Sequence, residues 1–101
     1  MTIISKRVYI SGAITGVDDC STHFVDAEDF LVEKGCKVIN PCMMDLVMPN
    51  ADYEDYIKVD LLLLDMCDAI YMLKGWEKSC GANREYGYAL AKGMEIMFEG
   101  E

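Results

Sequence analysis

Apolar positions along the chain follow two spacings. Short continuous or alternating runs at Arg7 to Ser11 (RVYIS), Cys36 to Asn40 (CKVIN), Ala69 to Leu73 (AIYML) and Glu95 to Phe98 (EIMF) predict four strands. Three longer segments between them carry apolar residues at helical spacing. In the first, Cys20, Phe24, Ala27 and Leu31 share one face, and Gly35 stands where a left-handed residue ends a helix. The second starts near Asp52 and puts Tyr53, Tyr56, Ile57, Leu61 and Leu64 on its inner stripe. The third grows out of the stretch GWEKSCGANREYGYAL, residues 75 to 90, with Ala82, Tyr86, Ala89 and Leu90 inward and Gly93 near its end.

Strand and helix in alternation imply parallel strands joined by right-handed crossovers, with helices on both faces. The expected fold is α/β: a small Rossmann- or flavodoxin-like three-layer domain over residues 1–101, with a parallel sheet of about four strands. Ligands in such sheets bind beyond the carboxyl ends of the strands, where the strand order reverses. Three segments should meet there: the loop SGAITG (Ser11 to Gly16), the exit at Asn40 and Pro41, and the loop GWEKSCGA.

Composition narrows the partners. The 101 residues carry 18 acidic against 9 basic side chains, a net charge of −9, with no cluster of Lys or Arg. A nucleic-acid polymer is therefore not the expected ligand, whereas a small anion held by a few oriented donors is compatible. The N-terminus does not read as a signal peptide and no apolar run reaches membrane-spanning length, so a soluble cytoplasmic protein without a membrane partner is expected. The 5 cysteines include no CxxC pair and the one histidine is His23, so neither a disulfide framework nor a zinc site is expected; the cysteines read as small core residues.

Two carboxylates break the apolar pattern. Asp60 lies on the stripe of the second helix that faces the sheet, and Glu85 lies one turn into the third, between Ala82 and Ala89. Singly, each reads as a structural acid: Asp60 as a hydrogen-bonded core residue, Glu85 as a first-turn residue whose charge the helix N-terminus favours. Together, beside one crevice, they suit glycosidic chemistry, in which one carboxylate stabilises or attacks an oxocarbenium-like centre and another group or water handles protons. Gly12, Gly16, Ser11 and Thr15 in the first loop, and Ser79 and Gly81 before the third helix, read either as turn and cap residues or as donors to a phosphate or sugar. Tyr9 reads as a core tyrosine or as a phenol oriented toward Glu85, and Trp76 as packing or as a base-stacking ring.

The stretches VYISGAITG, YEDYIKVDLLLLDMCDAIYML and GWEKSCGANREYGYALAKG, in this order and over nearly the whole chain, resemble the nucleoside 2-deoxyribosyltransferase-like superfamily, most closely its small bacterial and bacteriophage branch. The resemblance implies N-glycosidic chemistry on nucleosides or nucleotides with no cofactor or metal. Glu85 matches the nucleophile that attacks C1′, Tyr9 the tyrosine that orients it, and Asp60 the aspartate near the departing base. Ser11, Gly12 and Ile14 fall in the loop lining the sugar and phosphate pocket, and Ser79, Gly81 and Ala82 at the helix start beside it. Six residues before the nucleophile, transferases of the superfamily carry an Asp for the sugar 5′-hydroxyl, and 5′-monophosphate hydrolases a Ser for the phosphate; here it is Ser79. An Asp would repel a phosphate, so the resemblance implies a nucleotide substrate and water as acceptor. The basic residue that some hydrolases carry in the first loop is replaced near Thr15, leaving Arg84 and Lys78 as the nearby cations. A base-exchanging transferase and a nucleotide-binding module without turnover are the alternatives. The run Leu61 to Leu64 makes the second helix apolar nearly all round, from which a homodimer is expected.

Overall fold

The structure, a computed structural model, describes residues 6–14 and 19–101. Thr15 and Gly16 of the first loop lie outside the described residues. Four parallel strands, β1 (Arg7–Ser11), β2 (Lys37–Ile39), β3 (Ala69–Met72) and β4 (Glu95–Phe98), form one sheet in the order β2-β1-β3-β4. The expected α/β sheet is therefore the observed one, with β1 and β4 at the expected limits and β2 and β3 shorter at their ends. Tyr9 of β1 pairs with Ile39 on one side and Ile70 on the other. The chain leaves β1 for β2 in one direction and β2 for β3 in the other, so the order reverses between β1 and β3, the position where such sheets open a crevice.

Helix α1 (Val25–Glu33) follows a π-helical segment, Asp19–Phe24. A four-residue helix α2 (Met44–Val47) precedes α3 (Tyr53–Asp65), and α4 (Cys80–Lys92) joins β3 to β4. Phe24, Ala27 and Leu31 pack with Val8, Ile10 and Tyr71 on one face of the sheet. Leu64, Ala82 and Ala89 pack with Tyr9, Ile70 and Met72 on the other. Alternation along β1 and β3 feeds both layers, which is why β3 and the whole of β1 past Arg7 are buried.

Local chemistry fixes the helix ends. Asp52 and Asp55 form a reciprocal capping box at the start of α3, through bonds of 2.9 and 3.2 Å. Gly35, after the Lys34 cap of α1, and Gly93, the cap of α4, have φ of 87° and 73°. In each case two crossed amide bonds close the helix: Gly35 N to Val32 O with Cys36 N to Leu31 O, and Gly93 N to Leu90 O with Met94 N to Ala89 O.

Three expectations need correction. Leu90 is 54% exposed, because the buried stripe of α4 runs through Ala82, Glu85 and Ala89, and the residue after Ala89 is turned about 100° from it. Tyr53 is 50% exposed, since as the first residue of α3 it lines the cavity and not the core. Cys20 and Cys42, expected as separate small core residues, are joined in a disulfide with a Cα–Cα distance of 5.6 Å. Counting cysteines does not reveal that the segments after β1 and β2 end side by side. The free cysteines are Cys36, Cys67 and Cys80, the last of them exposed.

Candidate active site

A cavity of about 300 Å³ opens beyond the carboxyl ends of β1 and β3. Glu85 and Asp60 both line it, along with Gly12 and Ile14 from the first loop. Ser79, Gly81 and Ala82, at the start of α4, form another wall. The geometry that gathers them is simple: α4 starts at the strand ends and carries Glu85 on its buried stripe, while the stripe of α3 brings Asp60 in from beside it.

Glu85 is 5% exposed and held at both oxygens. The Tyr9 phenol donates to Oε2 at 2.7 Å and the Ser11 hydroxyl donates to Oε1 at 2.6 Å, both from β1. Tyr9 and Ser11 lie on the same side of β1, two residues apart, so one strand face supplies both donors. Of the expected site residues, these two are behind Glu85 rather than on the cavity wall. Ser11, expected among the substrate-binding residues, has its hydroxyl on the carboxylate and is 1% exposed.

Burial decides the charge state. It pushes the Glu85 carboxyl up to about 7; the bonds from Ser11 and Tyr9 pull the other way, and the nearby Asp60 charge adds to the rise. The expected preference for the charged form at the helix start is thus outweighed by loss of solvent. Burial likewise raises Asp60 to about 6, and its Oδ1 is buried with no hydrogen-bond partner among the described residues. Tyr9 is pushed well above the usual phenol range, first by burial and then by the Glu85 and Asp60 charges, so it stays protonated and donates.

Ser79 caps α4. Its Oγ accepts from the Ala82 amide at 3.1 Å, and the hydroxyl proton is left to donate. Gly12 has a packing requirement of its own: a Cβ there would come within 2.9 Å of Leu73 Cβ. Trp76 turns away from the cavity and packs against Tyr86, with ring centres 4.7 Å apart, and against Phe98. Sequence reasoning missed the cavity walls formed by Tyr53, Tyr56 and Ile57, which it placed in the core, and by Cys20 and Cys42. The signal was present in α3: Tyr53, Tyr56, Ile57 and Asp60 are one helical stripe, and a stripe ending in an acid is unsuited to a dry core.

Two solved structures share the architecture. A 2-deoxyribosyltransferase from Bacillus psychrosaccharolyticus superposes with a TM-score of 0.72 at 19% identity, covering 94% of this chain and 74% of that one. A 2-deoxyribosyltransferase from Leishmania mexicana gives 0.70 at 21% identity, covering 92% of this chain and 63% of its own length. The protein thus has the nucleoside 2-deoxyribosyltransferase-like fold, with a two-carboxylate cavity at its topological switch point. Within that class it belongs to the DUF4406 family, described as a domain of unknown function, whose profile matches residues 6–98. No protein of curated function matches the sequence. Among the described residues no helix is long and apolar enough to cross a membrane.

Proposed function

We propose that the protein hydrolyses the N-glycosidic bond of a (deoxy)nucleoside 5′-monophosphate. The observation that carries this reading is Glu85: a buried acid on a cavity wall, gripped at both oxygens by Tyr9 and Ser11, with a second raised acid, Asp60, on the same cavity. The ionised Glu85 attacks C1′; the C1′–N bond breaks and its electron pair leaves with the base, which takes a proton from Asp60. Tyr9 and Ser11 keep the carboxylate aimed during attack, and their bonds favour the charged form that attacks. Water then adds at C1′ of the glycosyl-enzyme, giving its proton to the Asp60 carboxylate and freeing Glu85, which is a retaining double displacement. Ser79 at the capped N-terminus of α4 supports a phosphate rather than a 5′-hydroxyl, because a hydroxyl donor there does not repel the anion.

Incubation with the four deoxynucleoside 5′-monophosphates tests the reading: free base should appear with wild type and not with Glu85→Ala. Equal release by both would remove Glu85 from the chemistry. A second reading, base exchange between nucleosides through the same intermediate, is favoured by the two similar structures, both described as 2-deoxyribosyltransferases. It requires added acceptor base to outcompete water, and the ratio of exchange to hydrolysis separates the two. We further propose that the molecule works in the cytoplasm as a homodimer through the outer side of α3, where Leu62 and Met66 are exposed. Sedimentation of Leu62→Glu as a monomer would be the expected result.

A further inference from the structure

The cavity's polar groups fall into two sets. Asp60 and Glu85 form an acidic end. The other end is the first turn of α4, where the hydroxyls of Ser79 and Tyr53 converge. A Cβ built at Gly81 would lie 3.6 Å from Tyr53 Oη, 3.7 Å from Ile57 Cδ1 and 3.9 Å from Ser79 Oγ. Two hydroxyls therefore face one methyl-sized space that glycine leaves open at the N-terminus of a 13-residue helix. Tyr53 stands half exposed at the cavity mouth, with the Arg84 guanidinium carbon 5.8 Å from its ring centre. Arg84 in turn bonds both oxygens of Glu54, at 2.7 and 3.4 Å, which ties the first turn of α3 to the first turn of α4.

A phosphate entering this cavity meets two acids in a chain whose net charge is −9, and no Lys or Arg is among the described residues lining the walls. It is best held where donors lie apart from those acids. Among the described residues, the Tyr53 end combines hydroxyl donors, a helix N-terminus and a neighbouring cation, Arg84, which is paired with Glu54. We propose that Tyr53 is a substrate-positioning residue: its phenol, with the Ser79 hydroxyl, donates to the 5′-phosphate of the nucleotide over Gly81, and Arg84 supplies positive charge at the rim. This rests on the nucleotide reading above and adds residues that reading did not contain. It also accounts for the exposure of a tyrosine on the stripe of α3 that otherwise runs into the core. A phenol there provides a donor at the mouth without the burial cost of a cation inside.

Calorimetric titration in a Glu85→Gln background, where turnover is blocked, tests the proposal with deoxyguanosine and deoxyguanosine 5′-monophosphate, and with the other three pairs. Adding Tyr53→Phe, which keeps the ring, should weaken the monophosphates roughly tenfold and leave the nucleosides within about twofold, as expected for one hydrogen bond to a charged acceptor. Arg84→Gln should weaken the monophosphates in the same selective way, with the difference shrinking at high salt. Gly81→Ala should exclude the monophosphates and spare the nucleosides. Tyr53→Phe affecting both ligand classes alike, or neither, overturns the proposal while the glycosidase reading stands. A background protein that binds no nucleotide or nucleoside defeats that reading itself, and this inference with it.

Discussion

Replacing Glu85 by Gln separates a carboxylate kept for chemistry from one kept for stability. In the folded chain the acid titrates at about 7, against 4.5 for an unperturbed glutamate, chiefly because burial penalises its charged form. Between those values the folded state holds a proton that the unfolded state has released. Stability therefore falls as pH rises from 4.5 to about 7, and the loss is complete above that. At about 1.4 kcal/mol per pH unit, the gap means the ionised acid costs the wild type about 3 kcal/mol at pH 8. The bonds from Tyr9 and Ser11 are already contained in that figure, since they lower the value from where burial alone would set it. Glutamine is never charged and escapes the penalty, but fits the two donors less well, so a net gain of about 1–2 kcal/mol is expected at pH 8. For a domain of this size that raises Tm by roughly 5 °C or more. Well below pH 4.5, Glu85 is protonated in both states and the gain disappears. Thermal unfolding of both proteins from pH 4 to 8.5, with base release measured at pH 7, provides the assay. A variant destabilised by the same margin at every pH would show that Glu85 is a structural acid, and the argument from burial would fall.

Tyr9→Phe removes one donor from the ionised form of Glu85, a bond of 2.7 Å. Glu85 holds its proton to a higher pH than Asp60, so the active form, with Glu85 ionised and Asp60 protonated, is a minor one. The upper limb of the pH–kcat/KM profile for base release, expected near 7, then follows Glu85. That limb should therefore move up by about one unit or more, given about 1.5–3 kcal/mol for a bond to a charged acceptor. An unmoved limb would mean that the Tyr9 bond does not set the ionisation. Gly12→Ala places a methyl group 2.9 Å from Leu73 Cβ, next to the sheet, and should lower the free energy of unfolding in urea by about 1–3 kcal/mol; an unchanged midpoint would show that the loop yields there at no cost. The double substitution Cys20→Ser, Cys42→Ser opens a cross-link between positions 22 apart and should cost about 3 kcal/mol without reductant, and nothing relative to wild type held in dithiothreitol. Identical urea midpoints for wild type with and without reductant would rule out the cross-link as a source of stability.

The parts of this molecule legible in its sequence are those that local spacing dictates. The alternation in RVYIS and the compact run AIYML can be buried only as strands feeding two layers, and the glycines at 35 and 93 sit two and one residues past the last helical residues because a left-handed turn ends those helices there. Glu85 and Asp60 stood out for the same reason: each is an acid at a position whose period demands an apolar residue. What spacing cannot supply is which distant segments touch. Ser11 could be placed in the crevice loop, but not on Glu85, because that contact joins β1 to α4 across 74 residues. The pairing of Cys20 with Cys42 depends on how two loops leave the sheet, and the packing of Trp76 with Tyr86 and Phe98 on how β4 lies against α4.

The distribution of cost within the fold supports a binding role for the cavity over a purely structural one. A structural acid in a protein interior is normally offset by a cation or by a full set of donors, since a buried polar atom left without a partner costs about 1–3 kcal/mol. Even acids nearer the surface of this chain have partners: Glu54 is paired with Arg84, Asp65 takes the Tyr88 phenol and Lys92, and part-buried Glu99 takes His23 and the Lys74 amide, with the acid lowered in each case. Asp60 and Glu85 depart from that pattern together. Both are raised and both line the same cavity, and among the described residues no cation lines that cavity and Asp60 Oδ1 has no hydrogen-bond partner. Packing alone would be better served by Leu or Gln at either position. Two destabilising acids on one wall, at the point where the strand order reverses, make sense if the missing partners arrive with a ligand: a reacting carbon for Glu85 and a proton-accepting base for Asp60.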